Sequence, residues 1–207
     1  MENLLAMLEE VGAVMPNDHF VGTSGSHFDT YINKDALYPY TDKVAMVGEM
    51  FAEAFKTYNV QVVAGPALGG IILSQWTAAA LSKLTNTKVL SVYAEKKDDT
   101  LKMTRGYDKI VAGKNVAVVE DLTTTGGSLQ KVIDAIQTAG GKVVVAAVMV
   151  NKNPQQVNSD FFGVPFVALA EKIVTVYPAE ECKLCANNIP VNTTIGHGKI
   201  FFESKNK

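Results

Sequence analysis

Residues 116–128 have the sequence VAVVEDLTTTGGS, and this stretch decides the fold. Four small or β-branched apolar residues come first, two acids follow, and threonines and glycines then lead into a helical pattern. The order predicts a buried strand, a turn and a helix, as in a βαβ unit. Because parallel sheets bind ligands beyond the carboxyl ends of their strands, we expect this turn to lie in a binding site.

Similar segments surround this stretch, so the chain as a whole alternates between strands and helices. The predicted strands are residues 61–64, 88–93, 115–119 and 142–150, and the predicted helices are residues 70–85 and 127–139. Gly140 and Gly141 follow the second of these helices, as expected at a helix end. The alternation predicts an α/β protein with a parallel twisted sheet flanked by helices.

The two ends of the chain carry weaker patterns. Helices are predicted over residues 3–11 and 41–58, the second capped by Thr41, and a strand is predicted over residues 28–32. The signal weakens after residue 153, and residues 177–207 are predicted to be mostly irregular.

Composition excludes several classes of protein. Of the 207 residues, 47% are hydrophobic and 19% are charged, which is typical of a soluble globule. The net charge of −2 offers no positive field for nucleic acid. No apolar run reaches the ~20 residues of a membrane span, and the first ten residues lack the pattern of a secretory signal. Two cysteines are too few for a disulfide scaffold, so we expect one cytosolic domain over residues 1–207.

The turn after the central strand has the chemistry of a phosphorylated-sugar site. Backbone N–H groups at a helix start bind phosphate, glycines let the phosphate approach, and hydroxyls add donors. Glu120 and Asp121 can accept hydrogen bonds from two vicinal ribose hydroxyls. The phosphate-binding candidates are Thr124, Thr125, Gly126, Gly127 and Ser128. The alternative is an ordinary βα turn with a helix cap. The stretch lacks the lysine of a Walker loop and the GxGxxG pattern of dinucleotide-binding proteins.

This stretch resembles the ribose-phosphate signature of the type I phosphoribosyltransferases. The resemblance implies that Glu120 and Asp121 hold the ribose hydroxyls of phosphoribosyl pyrophosphate and that Thr124 to Ser128 hold its 5′-phosphate. It also implies the type I phosphoribosyltransferase fold, with a small N-terminal hood in residues 1–40 and a C-terminal extension in residues 177–207. Thr123 departs from the family, which usually has an aliphatic residue there.

Residues 65–70, with the sequence GPALGG, form a second candidate anion loop. They follow an apolar strand and precede a helix, so they are either an anion-binding loop or an ordinary glycine-rich turn. The loop is similar to the pyrophosphate loop of the orotate phosphoribosyltransferases. That similarity assigns substrate binding to Pro66, Ala67, Leu68 and Gly69.

Residues 94–110 form a long polar segment rich in lysine and arginine. Loops of this length inside compact domains often act as lids, although a solvated connection is the alternative. The segment resembles the flexible catalytic loop of bacterial orotate phosphoribosyltransferases, whose basic residues close over pyrophosphate, commonly in the partner subunit of a homodimer. The resemblance makes Lys96, Lys97 and Arg105 catalytic together with Asp121, and it predicts a homodimer that shares this lid.

Residues 24–34 resemble the hood segment that binds the base in the same group. The resemblance assigns Ser24, Gly25 and Lys34 to the base, whereas His27 is either part of this hood or a surface histidine. Thr23 and Lys152 depart from the usual lysine and arginine.

Cys182, Cys185 and His197 supply three of the four ligands of a tetrahedral zinc site. A fourth ligand is not evident from the sequence, which favours the alternative of two reduced cysteines packed in a tight turn.

Taken with the resemblance, these patterns predict an enzyme of pyrimidine nucleotide biosynthesis. It would transfer the 5-phosphoribosyl group to orotate, with Mg²⁺ held through the substrate and no direct protein ligand. Two alternatives stay open: transfer to another base, purine or uracil, and a non-catalytic regulator that senses phosphoribosyl pyrophosphate. The basic lid argues against the regulator, because a sensor needs no clamp for a leaving group.

Overall fold

The computed structural model describes residues 4–22, 25–97 and 100–205. The chain divides into two compact units, Tyr38–Lys172 and the combination of Met1–Leu37 with Ile173–Lys207. Among the residues so described, no helix is long and apolar enough to cross a membrane. The description as a single domain with a hood and an extension stays a prediction.

The N-terminal segment consists of short elements. They are α1 (Leu4–Glu10), β1 (Val14–Met15), β2 (Phe20–Val21), β3 (His27–Phe28), β4 (Tyr31–Ile32) and a 3₁₀ turn at Lys34–Ala36. The helix was predicted, and it buries Leu4, Met7 and Leu8. The prediction of one strand over residues 28–32 was wrong, because the chain bends at residues 29 and 30. As a result β3 pairs with β2, whereas β4 pairs with β1.

The larger unit is a six-stranded sheet with helices. Its elements are α2 (Thr41–Phe55), β5 (Val62–Pro66), α3 (Gly69–Thr85), β6 (Leu90–Lys97), β7 (Thr100–Lys102), α4 (Tyr107–Val111), β8 (Asn115–Thr123), α5 (Gly127–Thr138), β9 (Lys142–Asn151), α6 (Ser159–Phe162) and β10 (Phe166–Glu171). The strand order is β10-β9-β8-β5-β6-β7, and every pair is parallel except β6 with β7. The predicted α/β class is confirmed.

The central strands are apolar on both faces, which explains their position. Residues 62–64 of β5, 116–119 of β8 and 145–150 of β9 are fully buried. Strands of this kind need cover on both sides, and they therefore occupy the middle of a sheet flanked by helices. On α5 the buried residues are Leu129, Val132, Ile133 and Ile136, spaced along one helical face.

Several boundaries differ from the prediction. Strand β8 continues to Thr123 and β6 to Lys97, so polar residues assigned to loops lie in strands. The segment 94–110 contains the β6–β7 hairpin and α4 rather than an irregular loop. Thr41 is the first residue of α2 and not its cap, which is Tyr40. Strand β10 was missed because its half-exposed residues follow no clear alternation.

The C-terminal segment contains more regular structure than predicted. It comprises β11 (Val176–Tyr177), a 3₁₀ turn at Ala179–Glu181, α7 (Lys183–Ala186) and α8 (Gly198–Lys205). Strand β11 pairs with β3, with Tyr177 opposite His27, and completes the sheet β11-β3-β2. This pairing joins the two ends of the chain within one unit.

Helices α2 and α3 approach each other at Gly48. A Cβ atom at this position would lie 2.8 Å from the carbonyl carbon of Trp76 on α3. We expect Gly48→Ala to lower the free energy of unfolding by about 1–3 kcal/mol, as overpacking does. At an open helical position the same change would instead stabilise by about 1 kcal/mol.

Urea unfolding measures this difference. The matched control is Glu49→Ala, an exposed position on the same helix, which should change the free energy of unfolding by no more than about 0.5 kcal/mol. Unchanged or increased stability of Gly48→Ala would contradict the close helix contact.

Candidate active site

The direction in which the chain adds strands to the sheet reverses between β5 and β8. From β5 the chain moves to β6 on one side, whereas β8 lies on the other side of β5. In open α/β sheets, ligands bind at such a switch point, beyond the carboxyl ends of the strands. Both glycine-containing loops singled out in the sequence lie there, since they follow β5 and β8.

The loop after β8 is organised by Thr123, the residue that departs from the family pattern. Its hydroxyl oxygen accepts a hydrogen bond from the Gly126 N–H at 3.0 Å. Gly126 has φ +75°, and a Cβ there would lie 2.5 Å from Phe161, so glycine is required on two grounds. Helix α5 then begins at Gly127, and backbone N–H groups at a helix start are of the kind that bind anions. Thr125, Gly127 and Ser128 are exposed, and Thr124 is half-buried.

The two acids lie inside β8 and not in an exposed turn, which corrects the sequence-based interpretation. Glu120 is 7% exposed and Asp121 is 4% exposed. The Asp121 carboxylate is held at both oxygens: Oδ1 accepts from the Leu122 N–H at 2.7 Å, and Oδ2 accepts from the Tyr38 hydroxyl at 2.9 Å. Its orientation is therefore fixed before any ligand binds.

Gly69 brings the β5 loop against this carboxylate. A Cβ atom at Gly69 would collide with Asp121 Oδ2 and with the Tyr38 hydroxyl. Glycine is needed here for close approach, since the first residue of α3 must leave room for the acid of the neighbouring strand. The loop after β5 therefore touches β8 at the acid that precedes the second predicted loop.

The β5 loop itself is compact. A Cβ at Gly70 would lie 2.6 Å from the Pro66 ring, and the Ala67 N–H donates to the Ala94 carbonyl of β6 at 2.9 Å. The peptide bond between Ala67 and Leu68 is cis, and the Leu68 side chain is 80% exposed. Pro66, Ala67, Leu68 and Gly69 thus lie together in one turn, with Gly69 against Asp121, and their role as an anion loop stays a prediction.

The predicted catalytic lysines lie on the β6–β7 hairpin. Strand β6 pairs with β5 as far as Ala94, and its last three residues pair with β7. Lys96 and Lys97 are exposed and adjacent, so their side chains leave the strand on opposite faces. The ribbon therefore presents one lysine on each face.

Arg105 is engaged with a carboxylate of the same hairpin. Its Nη2 lies 3.2 Å from Glu95 Oε2, and the Thr104 hydroxyl donates to the other oxygen of Glu95. The hydrogen bond from Thr104 and then the Arg105 guanidinium lower the pKa of Glu95, and Glu95 in turn raises the pKa of Arg105. Because the ion pair is exposed, solvent screens it. Arg105 can therefore exchange Glu95 for another anion at little cost in free energy.

Lys152 adds a cation near the acids. It follows β9, and its N–H donates to the Thr123 carbonyl at 2.8 Å. Burial lowers the pKa of its ammonium below the usual 10.5, and the Asp121 carboxylate acts in the opposite direction. The sequence identified Lys152 as a departure from the family that bears on recognition of the orotate carboxylate.

Not all predicted site residues belong to this unit. Gly25, with φ +78°, and Lys34, in the first 3₁₀ turn, lie in the other unit, and Ser24 lies outside the described residues. His27 is fully buried, so its interpretation as a surface histidine was wrong. Sequence reasoning also missed Tyr38, because nothing in the chain relates it to an acid 83 positions away.

Several known proteins resemble this chain in sequence and in fold. Residues 35–177 match the family model of the phosphoribosyl transferase domain. The orotate phosphoribosyltransferase of Caldanaerobacter subterraneus is 35% identical over 190 residues, covering 92% of this chain and 94% of the relative. That of Thermotoga maritima is 38% identical over 184 residues, covering 89% and 92%.

A solved structure supports the fold. The orotate phosphoribosyltransferase of Mycobacterium tuberculosis, in complex with 5-phospho-α-D-ribosyl 1-diphosphate, has a TM-score of 0.63 at 20% identity, covering 81% of this chain and 93% of that one. The chain therefore belongs to the phosphoribosyltransferase family, in which these relatives are orotate phosphoribosyltransferases.

The electrostatics of Lys152 can be tested directly. We expect its ammonium to titrate below 10.5, and Asp121→Asn to lower its pKa further, because the attractive carboxylate is removed. NMR titration of ¹³C-methylated lysines, with Lys152→Arg for assignment, measures both values. Asp134→Asn, an exposed position on α5, is the control and should leave the titration unchanged. A higher pKa in Asp121→Asn would contradict the interaction.

Proposed function

We propose that the chain transfers the 5-phosphoribosyl group of phosphoribosyl pyrophosphate to orotate, giving orotidine 5′-monophosphate and pyrophosphate in pyrimidine nucleotide biosynthesis. The observation that carries the proposal is the contact of the β5 loop with strand β8 at Gly69 and Asp121, just before the second anion loop begins. A substrate with phosphate at one end, pyrophosphate at the other and two hydroxyls between them matches this arrangement. The relatives of 35% and 38% identity support the same reaction.

The loop after β8 is assigned to the ribose phosphate. Glu120 and Asp121 accept hydrogen bonds from the ribose hydroxyls, and residues 124–128 bind the 5′-phosphate through helix N–H groups and hydroxyls. Tyr38 and the Leu122 N–H hold the Asp121 side chain in one orientation, so it loses little conformational entropy when the sugar binds.

The leaving group is assigned to the β5 loop and the hairpin. Residues 66–69 bind pyrophosphate, and Lys96, Lys97 and Arg105 stabilise the charge that develops on it as the bond to the anomeric carbon breaks. An oxocarbenium-like transition state requires the protein to position the substrate and to stabilise charge, and it requires little covalent chemistry. Arg105 would exchange Glu95 for a pyrophosphate oxygen.

Magnesium matches the donors of this site, because carboxylate and phosphate oxygens are the ligands that it prefers. The ion would be held through substrate oxygens, without a direct protein ligand, and the negative charge of Glu120 and Asp121 at the end of β8 would favour a cation nearby. When bound, it neutralises charge on the leaving group.

Orotate carries a carboxylate, so its site requires a cation or several N–H donors. Ser24, Gly25 and Lys34 are the candidates from the resemblance, and Lys152 is a candidate from the electrostatics at Asp121. We further propose a cytosolic homodimer in which the hairpin of one subunit serves the site of the other.

A comparison of bases as substrates tests the proposed function. With phosphoribosyl pyrophosphate and Mg²⁺, orotate should be converted with a kcat/KM at least ~10²-fold above that of uracil, hypoxanthine or adenine, the discrimination that a polar site reaches. Pyrophosphate release across the four bases measures it. Preference for another base would refute orotate specificity, and no release with any base would favour the regulator.

Asp121 should control the affinity for phosphoribosyl pyrophosphate. Asp121→Asn replaces a charged acceptor by a neutral one, and hydrogen bonds to charged groups contribute about 1.5–3 kcal/mol. We therefore expect calorimetric titration with Mg²⁺ to show a Kd roughly 10- to 100-fold higher. The control is Asp134→Asn on α5. Unchanged affinity in folded Asp121→Asn would remove β8 from the sugar site.

The two hairpin lysines should affect turnover more than binding. We expect both Lys96→Ala and Lys97→Ala to lower kcat, and because their side chains lie on opposite faces of β6 the losses should differ, the larger being ~10²–10³-fold. The Kd for phosphoribosyl pyrophosphate should change far less, since the contact strengthens in the transition state. Steady-state kinetics with Lys83→Ala, an exposed lysine of α3, as control gives the comparison.

Mixed dimers test whether the hairpin acts on the partner. A chain inactivated in the hairpin and one carrying Asp121→Asn should together recover part of the activity if the lid is shared.

For the single lysine variants, full activity of both Lys96→Ala and Lys97→Ala would argue against any clamp in this hairpin.

A further inference from the structure

Four side chains outside the proposed active site converge in the smaller unit. His19, His27, Cys182 and Cys185 each offer a nitrogen or sulfur atom, and these atoms all lie within 4.8 Å of one another. The pairing of β11 with β3 and of β3 with β2 joins the segments that carry them. The first three residues are buried and Cys185 is partly exposed.

The distances agree with a tetrahedral metal site. Cys182 Sγ lies 3.6 Å and Cys185 Sγ 3.8 Å from His19 Nε2, and Cys185 Sγ lies 3.5 Å from His27 Nδ1. With zinc–nitrogen bonds of about 2.0–2.1 Å and zinc–sulfur bonds of about 2.3 Å, a tetrahedral site separates nitrogen from sulfur by about 3.6 Å. All three measured separations are close to this value.

The two imidazoles are closer together than ligands of one metal ion. His19 Nε2 lies 2.7 Å from His27 Nδ1, a hydrogen-bond distance, whereas nitrogens on a shared tetrahedral zinc lie about 3.3 Å apart. Zinc binding therefore requires these rings to separate by roughly 0.6 Å, and the thiols already lie at the required distance.

The surrounding hydrogen bonds orient the ligands. His19 Nδ1 lies 2.7 Å from the Ile189 carbonyl oxygen, which can only accept, so Nδ1 carries the proton and Nε2 directs its lone pair at the cysteines. Histidines that bind metal typically donate their other N–H to a carbonyl or carboxylate in this way. The Cys185 N–H also donates to Cys182 Sγ at 3.5 Å, which orients that sulfur.

Other uses of the same residues agree less well with the surroundings. A Cys–His catalytic pair needs an accessible thiol and an accessible imidazole, but Cys182 is buried and both His19 and His27 are fully buried, so the partly exposed Cys185 has no accessible imidazole in this cluster. Simple core packing would not require four ligand atoms from opposite ends of the chain to point at one another. Both cysteines are thiols in the structure, as a metal site requires.

The geometry points to a structural Zn²⁺ site formed by His19, His27, Cys182 and Cys185. Two thiolates and two neutral imidazoles balance the charge of the ion and fill its four positions, so no position stays open for substrate. The ion ties α7 to β3 and to the residue before β2, within a unit of short elements. His197, the third ligand suggested by the sequence, is not in the cluster; its N–H donates to the Val21 carbonyl.

Metal analysis of the full-length protein tests this inference. Protein made without a metal-binding tag and dialysed against a weak chelator should contain one zinc per chain by mass spectrometry. Cys182→Ser, Cys185→Ser and His19→Ala should each lose most of it, whereas His197→Ala, the matched control, should keep it. Wild-type protein without stoichiometric zinc, or zinc retained by the double cysteine variant, would overturn the assignment.

A second measurement needs no variant and so does not depend on whether variants fold. Titration of wild-type protein with a mercurial thiol reagent should release one zinc, detected by a colorimetric chelator, as the two thiols react. X-ray absorption at the zinc edge should show two sulfur ligands at about 2.3 Å and two nitrogen ligands at about 2.0 Å. A coordination shell of oxygen and nitrogen alone, or a disulfide between the cysteines in place of metal, would refute the site.

Discussion

The close approach of Gly69 to the Asp121 carboxylate links the ends of β5 and β8. The other parts of the proposed active site depend on this contact, because it sets the distance between the two anion loops. Tyr38 and the Leu122 N–H hold the same carboxylate from two further directions, and Lys152 faces its charge. A buried polar group needs such hydrogen bonds. The surroundings of the Asp121 carboxylate therefore fix its position.

The middle of the sheet could be predicted because its residues obey one physical rule. Strand residues that are buried on both faces of a sheet must be apolar. This holds for residues 62–64 of β5, 116–119 of β8 and 145–150 of β9. The rule fails where a strand carries polar residues: β8 continues through Glu120 and Asp121, and β6 through Lys96 and Lys97. At these positions packing in the core does not determine the residue type, so the apolar pattern ends before the strand does. Strand β10, half-exposed at the sheet edge, gives no periodic signal at all.

The candidate site residues also divide into those that the sequence predicts and those that it does not. The glycines after β5 and β8 were predictable, since loops that bind anions need backbone room. Tyr38 and His19 were not, because each acquires its role from a neighbour far along the chain. The sequence suggested His197 beside the two cysteines, whereas strand pairing brings His19 and His27 there instead. Such contacts follow from topology, which local patterns do not contain.

The β6–β7 hairpin changes the thermodynamics of the closure proposed for it. A disordered loop loses about 1–2 kcal/mol of conformational entropy for every residue that becomes fixed on closing. Here Glu95, Lys96 and Lys97 are already paired with Lys102, Leu101 and Thr100. A preformed ribbon can rotate as one body about its junction with the sheet, so that few dihedral angles change. Less of the substrate's binding free energy is then consumed in ordering the protein, and more remains to lower the barrier to pyrophosphate departure.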